Sequence, residues 1–126
     1  MYDIYGLGNA LVDTEYQVDD GYLRDHGIDK GHMTLVDEER IHALQRGLAE
    51  RPAKRISGGS AANTIYAASG FGSRTFYSCK VADDPTGHHF LEDLRSAGVQ
   101  VNANARHASG KSGECLILVT LTPNVR

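Results

Sequence analysis

This 126-residue sequence is short of basic charge, cysteine and long apolar runs, and each shortage excludes a class of protein. Thirteen Lys and Arg stand against sixteen Asp and Glu, a formal charge of −3. That balance lacks the basic footprint of nucleic-acid binding, so no nucleic-acid partner is expected. No apolar run approaches the ~20 residues of a membrane-spanning helix, so no membrane partner is expected either. The opening MYDIYGLGN has neither a basic n-region nor an apolar h-region, so no signal peptide is expected. The two cysteines, Cys79 and Cys115, lie far apart without CxxC spacing. Both fall in apolar strand-like runs and read as free buried thiols, which sets the expected location as cytoplasmic. The six histidines lack ligand spacing, and the adjacent His88 and His89 point about 100° apart on a helix. Ser57 and Ser60 have no nucleophile-elbow context.

What is present suits one soluble domain. Forty per cent hydrophobic and 23% charged residues are ordinary for a globular chain. A chain this long buries roughly two-thirds of its unfolded surface. Residues 2 to 8 read as a short buried strand ending in a glycine turn. Val18-Asp19-Asp20 caps a helical turn at Tyr22-Leu23 that closes at Gly27, and residues 32 to 36 run extended. Asp37 is an N-cap, with Glu38 and Glu39 placed favourably against the helix dipole. Ile41, Leu44 and Leu48 share one face of a helix expected over residues 38 to 50. A small-residue helix follows over 60 to 69, closed by Gly70. Residues 75 to 81 read as a strand. Asp84-Pro85 starts another helix, whose inner face carries Phe90, Leu91, Leu94 and Ala97 and whose left-handed cap is Gly98. Capping explains the acid pair Asp83-Asp84 without a metal. An apolar strand over 114 to 122 runs almost to the last residue. The alternation points to an α/β layered fold. Too few elements follow to cover a mostly parallel sheet on both faces, so the chain reads as the front part of something longer.

The most informative stretch is ISGGSAANTIYAASGFG, residues 56 to 72. Two readings fit it. Gly58-Gly59 is a tight strand-to-helix turn and the alanines permit close packing; or the glycines let a ligand approach the bare first N–H groups of the helix. Asn63, four residues after Gly59, adds an amide on the same side of the first turn. With no cation in the group, it suits a polyhydroxyl better than a phosphate. A phosphate-cradling loop needs a Lys that is absent here, and Gly6-Leu7-Gly8 puts Leu11 where a dinucleotide fingerprint needs a small residue. Asp13 ends the segment GLGNALVD. It is either a solvated or turn-capping acid, or a carboxylate that accepts bonds from two neighbouring hydroxyls.

GLGNALVD, SGGSAAN and VADDPTG together resemble the N-terminal portion of the ribokinase-type (PfkB) carbohydrate kinases. The run from VDDGYLRDHGI through KGHMTLVDEE is arranged much as in their adenosine kinase branch. The resemblance covers residues 2 to about 120 and implies a three-layer α/β fold with a small β-lid, of which residues 1–126 are an incomplete N-terminal part. It implies ATP-dependent, magnesium-dependent phosphorylation of a hydroxymethyl group on a sugar or nucleoside. By position, Asp13 takes two ribose-type hydroxyls, Gly58 and Gly59 present backbone N–H groups, and Asn63 bonds another hydroxyl. Asn9 and Ser60 match residues near the substrate. Segments 14–36 and 105–122 include lid or lid-anchoring pieces, and the resemblance allows a homodimer through the lid. The family's Gly-Ala-Gly-Asp segment with the catalytic base, its Asn-x-x-Glu magnesium segment and its ATP pocket are not found in this sequence. This chain alone is therefore expected to be inactive, with no catalytic, ATP-binding or metal residues of its own. The alternative is a non-catalytic sugar- or nucleoside-binding or dimerisation module.

Overall fold

A computed structural model describes residues 1–102 and 109–121. The elements run β1 (Ile4–Leu7), β2 (Leu11–Val18), α1 (Asp20–Asp25), α2 (Glu38–Arg46), β3 (Ala53–Gly58), α3 (Ser60–Gly70), β4 (Thr75–Ser78), α4 (Pro85–Ser96), β5 (Gln100–Val101) and β6 (Gly113–Thr120). The fold is α/β, as the alternation of strand and helix signals predicts. Two sheets form, ordered β1-β4-β5 and β3-β2-β6. The chain divides into two compact units: residues 1–13 with 55–115, and residues 14–54 with 116–126.

In the first unit, β1, β4 and β5 are parallel, with Tyr77 opposite both Gly6 and Val101. Parallel neighbours require crossovers, which α3 and α4 supply. Both helices lay their apolar faces into one core, where Ile65, Tyr77, Phe90, Leu91 and Leu94 are buried. Asn102 continues the ladder beyond β5 with its side chain. Its Oδ1 accepts from the Cys79 N–H and its Nδ2 donates to the Cys79 carbonyl, both at 3.1 Å. Ser69 Oγ donates to the Ala97 carbonyl at 2.7 Å and ties the ends of the two helices together.

The second unit has a smaller core of Val18, Leu23 and Leu48, flanked by Tyr16, Tyr22 and Ile28. Asp19 caps α1 by accepting from Tyr22 N–H at 2.7 Å, and Asp37 caps α2 by accepting from Arg40 N–H at 2.8 Å.

Several boundaries differ from expectation. The helix predicted to residue 50 ends at Arg46, where Gly47 weakens it, although Leu48 still packs inward from the following turn. Gly70 lies inside α3; the left-handed glycine beyond its end is Gly72, at φ +92°. The strand predicted to residue 81 stops at Ser78, and β5 is an addition. Residues 32–36 join no strand. The strand read as buried, β1, has Tyr5 63% and Leu7 75% exposed, because only one of its faces meets a helix. The expected ends at 105–108 and 122 lie outside the described residues. No helix among the described residues is long and apolar enough to cross a membrane.

Candidate functional site

Asp13 lies on β2, between the strand that carries Gly58 and the strand that carries Cys115. Alternation turns Val12 into the core and leaves Asp13 half-buried on the other face. A Cβ built on Gly58 would stand 2.7 Å from Asp13 Oδ2 and 3.1 Å from its Cγ. The carboxylate therefore occupies the space that any other residue at position 58 would fill. Gly59 is required for a second reason. It is the N-cap of α3 at φ +99°, where an L-residue is strained, and a Cβ there would meet the Asn9 carbonyl oxygen at 3.2 Å. No side chain caps this helix end.

The loop between β1 and β2 closes down on the same place. Tyr77 Oη donates to the Asn9 carbonyl at 3.0 Å. A Cβ on Gly8 would be 2.6 Å from that hydroxyl and 3.0 Å from Ala61 Cβ. Of the six residues singled out from sequence, the structure thus joins Asp13 to Gly58 and the Asn9 backbone to Gly59. Ser60 is the first residue of α3, and the Asn63 N–H makes an early helical bond to the Gly59 carbonyl at 2.9 Å. Both residues are exposed on that first turn.

Cys115 adds to the set. Its thiol is half-buried rather than buried, which corrects one of the two buried-thiol readings. Burial pushes this thiol up, and the Asp13 carboxylate adds to the shift by its charge and by accepting a hydrogen bond. Cys79 does sit in the core, where burial pushes it up to about 11. Sequence reasoning missed both Cys115 and Tyr77, because cross-strand neighbours carry no local spacing signal.

The acid pair resolves into two separate roles. Asp84 caps α4 by accepting from Gly87 N–H at 2.7 Å and also accepts from Ser112 N–H at 2.8 Å. Burial raises its carboxyl, but those backbone bonds to Ser112 and Gly87 outweigh burial and hold it below its ordinary range. Asp83 pairs with His88 Nε2 at 2.5 Å. Among the described residues no group of three or more His, Cys, Asp or Glu is placed to hold a metal. The described residues therefore give no ligand set for a magnesium ion.

Comparison with known proteins agrees with this architecture. A family described as "pfkB family carbohydrate kinase" matches residues 28–125. The adenosine kinase of Sinorhizobium meliloti superposes with a TM-score of 0.76 at 36% identity, over 95% of this chain and 36% of that one. Adenosine kinase 2 of Arabidopsis thaliana is 24% identical over 119 residues, 90% of this chain and 34% of its own length. The guanosine-inosine kinase of Escherichia coli K12 is 28% identical over 65 residues, half of this chain and 15% of its own length. The fold is that of the adenosine kinases, α/β of the ribokinase type, and the candidate site within it is one glycine-rich helix start beside one acid. The chain belongs to the PfkB family of carbohydrate kinases, and it spans about a third or less of the length of these relatives.

Proposed function

We propose that this chain forms the substrate-binding floor of an ATP-dependent nucleoside kinase, with adenosine or a close ribonucleoside as its ligand. The observation that carries the reading is the Asp13 carboxylate held against the bare Cα of Gly58, with the uncapped start of α3 following directly. A carboxylate offers two oxygens, and a vicinal diol offers two donors at matching separation, so Asp13 accepts from both ribose hydroxyls. The Gly59 turn keeps the first N–H groups of α3 within reach of a ring oxygen or hydroxyl, and Asn63 bonds a further hydroxyl from the same turn. Asn9 and Ser60 line the approach. Such a floor orients the sugar for transfer to its hydroxymethyl group, and positioning is most of what phosphoryl transfer asks of a protein. ATP with a divalent metal supplies the phosphoryl group in the complete enzyme. Residues 14–36 and the described part of 105–122 serve as lid pieces in this reading.

Calorimetric titration with adenosine and with ribose tests it. Hydrogen bonds to a charged group contribute about 1.5–3 kcal/mol each, so Asp13→Asn raises the dissociation constant at least about tenfold. Unchanged affinity in that variant overturns the role of Asp13. The same 126-residue chain, given ATP, magnesium and adenosine, forms no AMP; measurable turnover contradicts the reading that the catalytic base lies elsewhere.

A further inference from the structure

We propose that Tyr77 is a positioning residue for this floor: its buried hydroxyl holds the Asn9 carbonyl against Gly59 and so fixes the β1–β2 loop to the start of α3. The inference rests on the binding role proposed for Asp13 and the α3 start. Three observations carry it. Tyr77 is fully buried in the middle of β4, so its ring cannot reorient without disturbing the core. Its hydroxyl bonds across 68 positions of sequence to the backbone of Asn9. The bonded carbonyl is also the group that Gly59 must accommodate, 3.2 Å from where a Cβ would stand. One hydroxyl therefore sets the distance between two binding segments. Four residues beyond Asn9 the chain reaches Asp13, so a shift of the loop is passed along β2 to the carboxylate. Gly8 belongs to the same device. Only a residue without a side chain leaves the Tyr77 hydroxyl room, since a Cβ at position 8 would come within 2.6 Å of it. Burial raises the Tyr77 phenol above its ordinary value, so it remains a donor throughout the neutral range.

The test uses the 126-residue chain with adenosine as the probe. Tyr77→Phe deletes one oxygen and retains the ring. It is expected to weaken adenosine binding roughly three- to tenfold, the worth of one net hydrogen bond, at a temperature where circular dichroism shows the variant folded. Amide exchange should quicken at residues 8–13 and 59–63 and stay unchanged in α4, a pattern that general destabilisation does not produce. Gly8→Ala should weaken binding in the wild type and weaken it less in the Tyr77→Phe background, where the clash with the hydroxyl is gone and only the 3.0 Å approach to Ala61 Cβ remains. If Tyr77→Phe does not fold, Gly8→Ala carries the same affinity and exchange readings. Should Asp13→Asn impair binding while neither Tyr77→Phe nor Gly8→Ala alters affinity or local exchange, the positioning role is overturned and the binding reading survives. Should the wild type not bind adenosine, the binding reading fails. The exchange pattern then decides alone whether Tyr77 holds the loop.

Discussion

Gly58 and Gly59 are adjacent and identical, yet their neighbours make different demands on them. Gly59 answers a backbone requirement, φ +99° at a helix start. Gly58 has no such backbone and answers a contact requirement, the Asp13 carboxylate where its side chain would be. The two respond differently to the same substitution. Gly59→Ala costs about 1–3 kcal/mol in backbone strain and presses on the Asn9 carbonyl rather than on Asp13 directly. Gly58→Ala puts a methyl 2.7 Å from Oδ2, closer than Cβ atoms approach oxygen, so the carboxylate must move. Its expected cost is about 1–3 kcal/mol of overpacking in urea denaturation, together with a loss of adenosine affinity out of proportion to it. Equal loss of affinity in both variants would show that the turn, and not the acid, matters to the ligand. The glycine pair was legible from the sequence as a strand-to-helix turn, which serves either close packing or the approach of a ligand. Which atom each glycine yields to was not, since Asp13 meets the pair through β2 pairing with β3 and Asn9 through the loop before β2. Cys115 shows the same limit: its bond to Asp13 depends on strand order, which no spacing encodes.

Among the elements, helix starts were more legible than helix ends. Asp19, Asp37 and Asp84 each cap the helix expected of them, because an N-cap is a local bond between a side chain and an N–H three residues on. Ends are set by competition. Gly47 stops α2 early while Leu48 still finds the core, and the choice between Gly70 and Gly72 is made by the turn beyond α3. The two-residue β5 is too short for any pattern and exists because β4 offers it a ladder. Asp84 does more than cap, since one oxygen accepts from Gly87 N–H and the other from Ser112 N–H. Asp84→Ala is expected to cost about 1–2 kcal/mol at neutral pH. Because the folded carboxyl is held below its ordinary value, its contribution is present above about pH 4, the unfolded carboxylate value, and fades as pH falls through the depressed one. The stability gap between wild type and variant should therefore narrow in acid. Urea midpoints measured at neutral pH and below pH 4 check this, and a gap that stays constant would mean that the charge contributes nothing.

At the scale of the whole molecule, burial is a property of what each layer meets and not of the strand alone. Apolar β1 read as buried, yet α3 and α4 share a single core with the sheet. Tyr2, Tyr5 and Phe76 gather away from it: Tyr5 stacks on Phe76 at 5.0 Å between ring centroids, and Tyr2 tilts against the same ring at 5.1 Å. Parallel sheets usually carry cover on both faces, so an aromatic cluster on a face that neither α3 nor α4 covers is unusual. Two phenylalanines of the first unit then serve as opposite probes. Phe90 is 1% exposed in the core, and Phe90→Ala should cost about 3–5 kcal/mol. Phe76 lies on β4 one residue before fully buried Tyr77, so its ring emerges on the other face, partly exposed among Tyr2 and Tyr5. Phe76→Ala gives up an aromatic stack and little transfer energy, so its cost should stay below about 1.5 kcal/mol. Fluorescence of an apolar dye should also fall in that variant, because the patch of Tyr2, Tyr5 and Phe76 loses its central ring. If Phe76→Ala unfolds the chain as readily as Phe90→Ala, both faces of the sheet are covered in solution. The second cover must then come from contacts beyond those of α3 and α4.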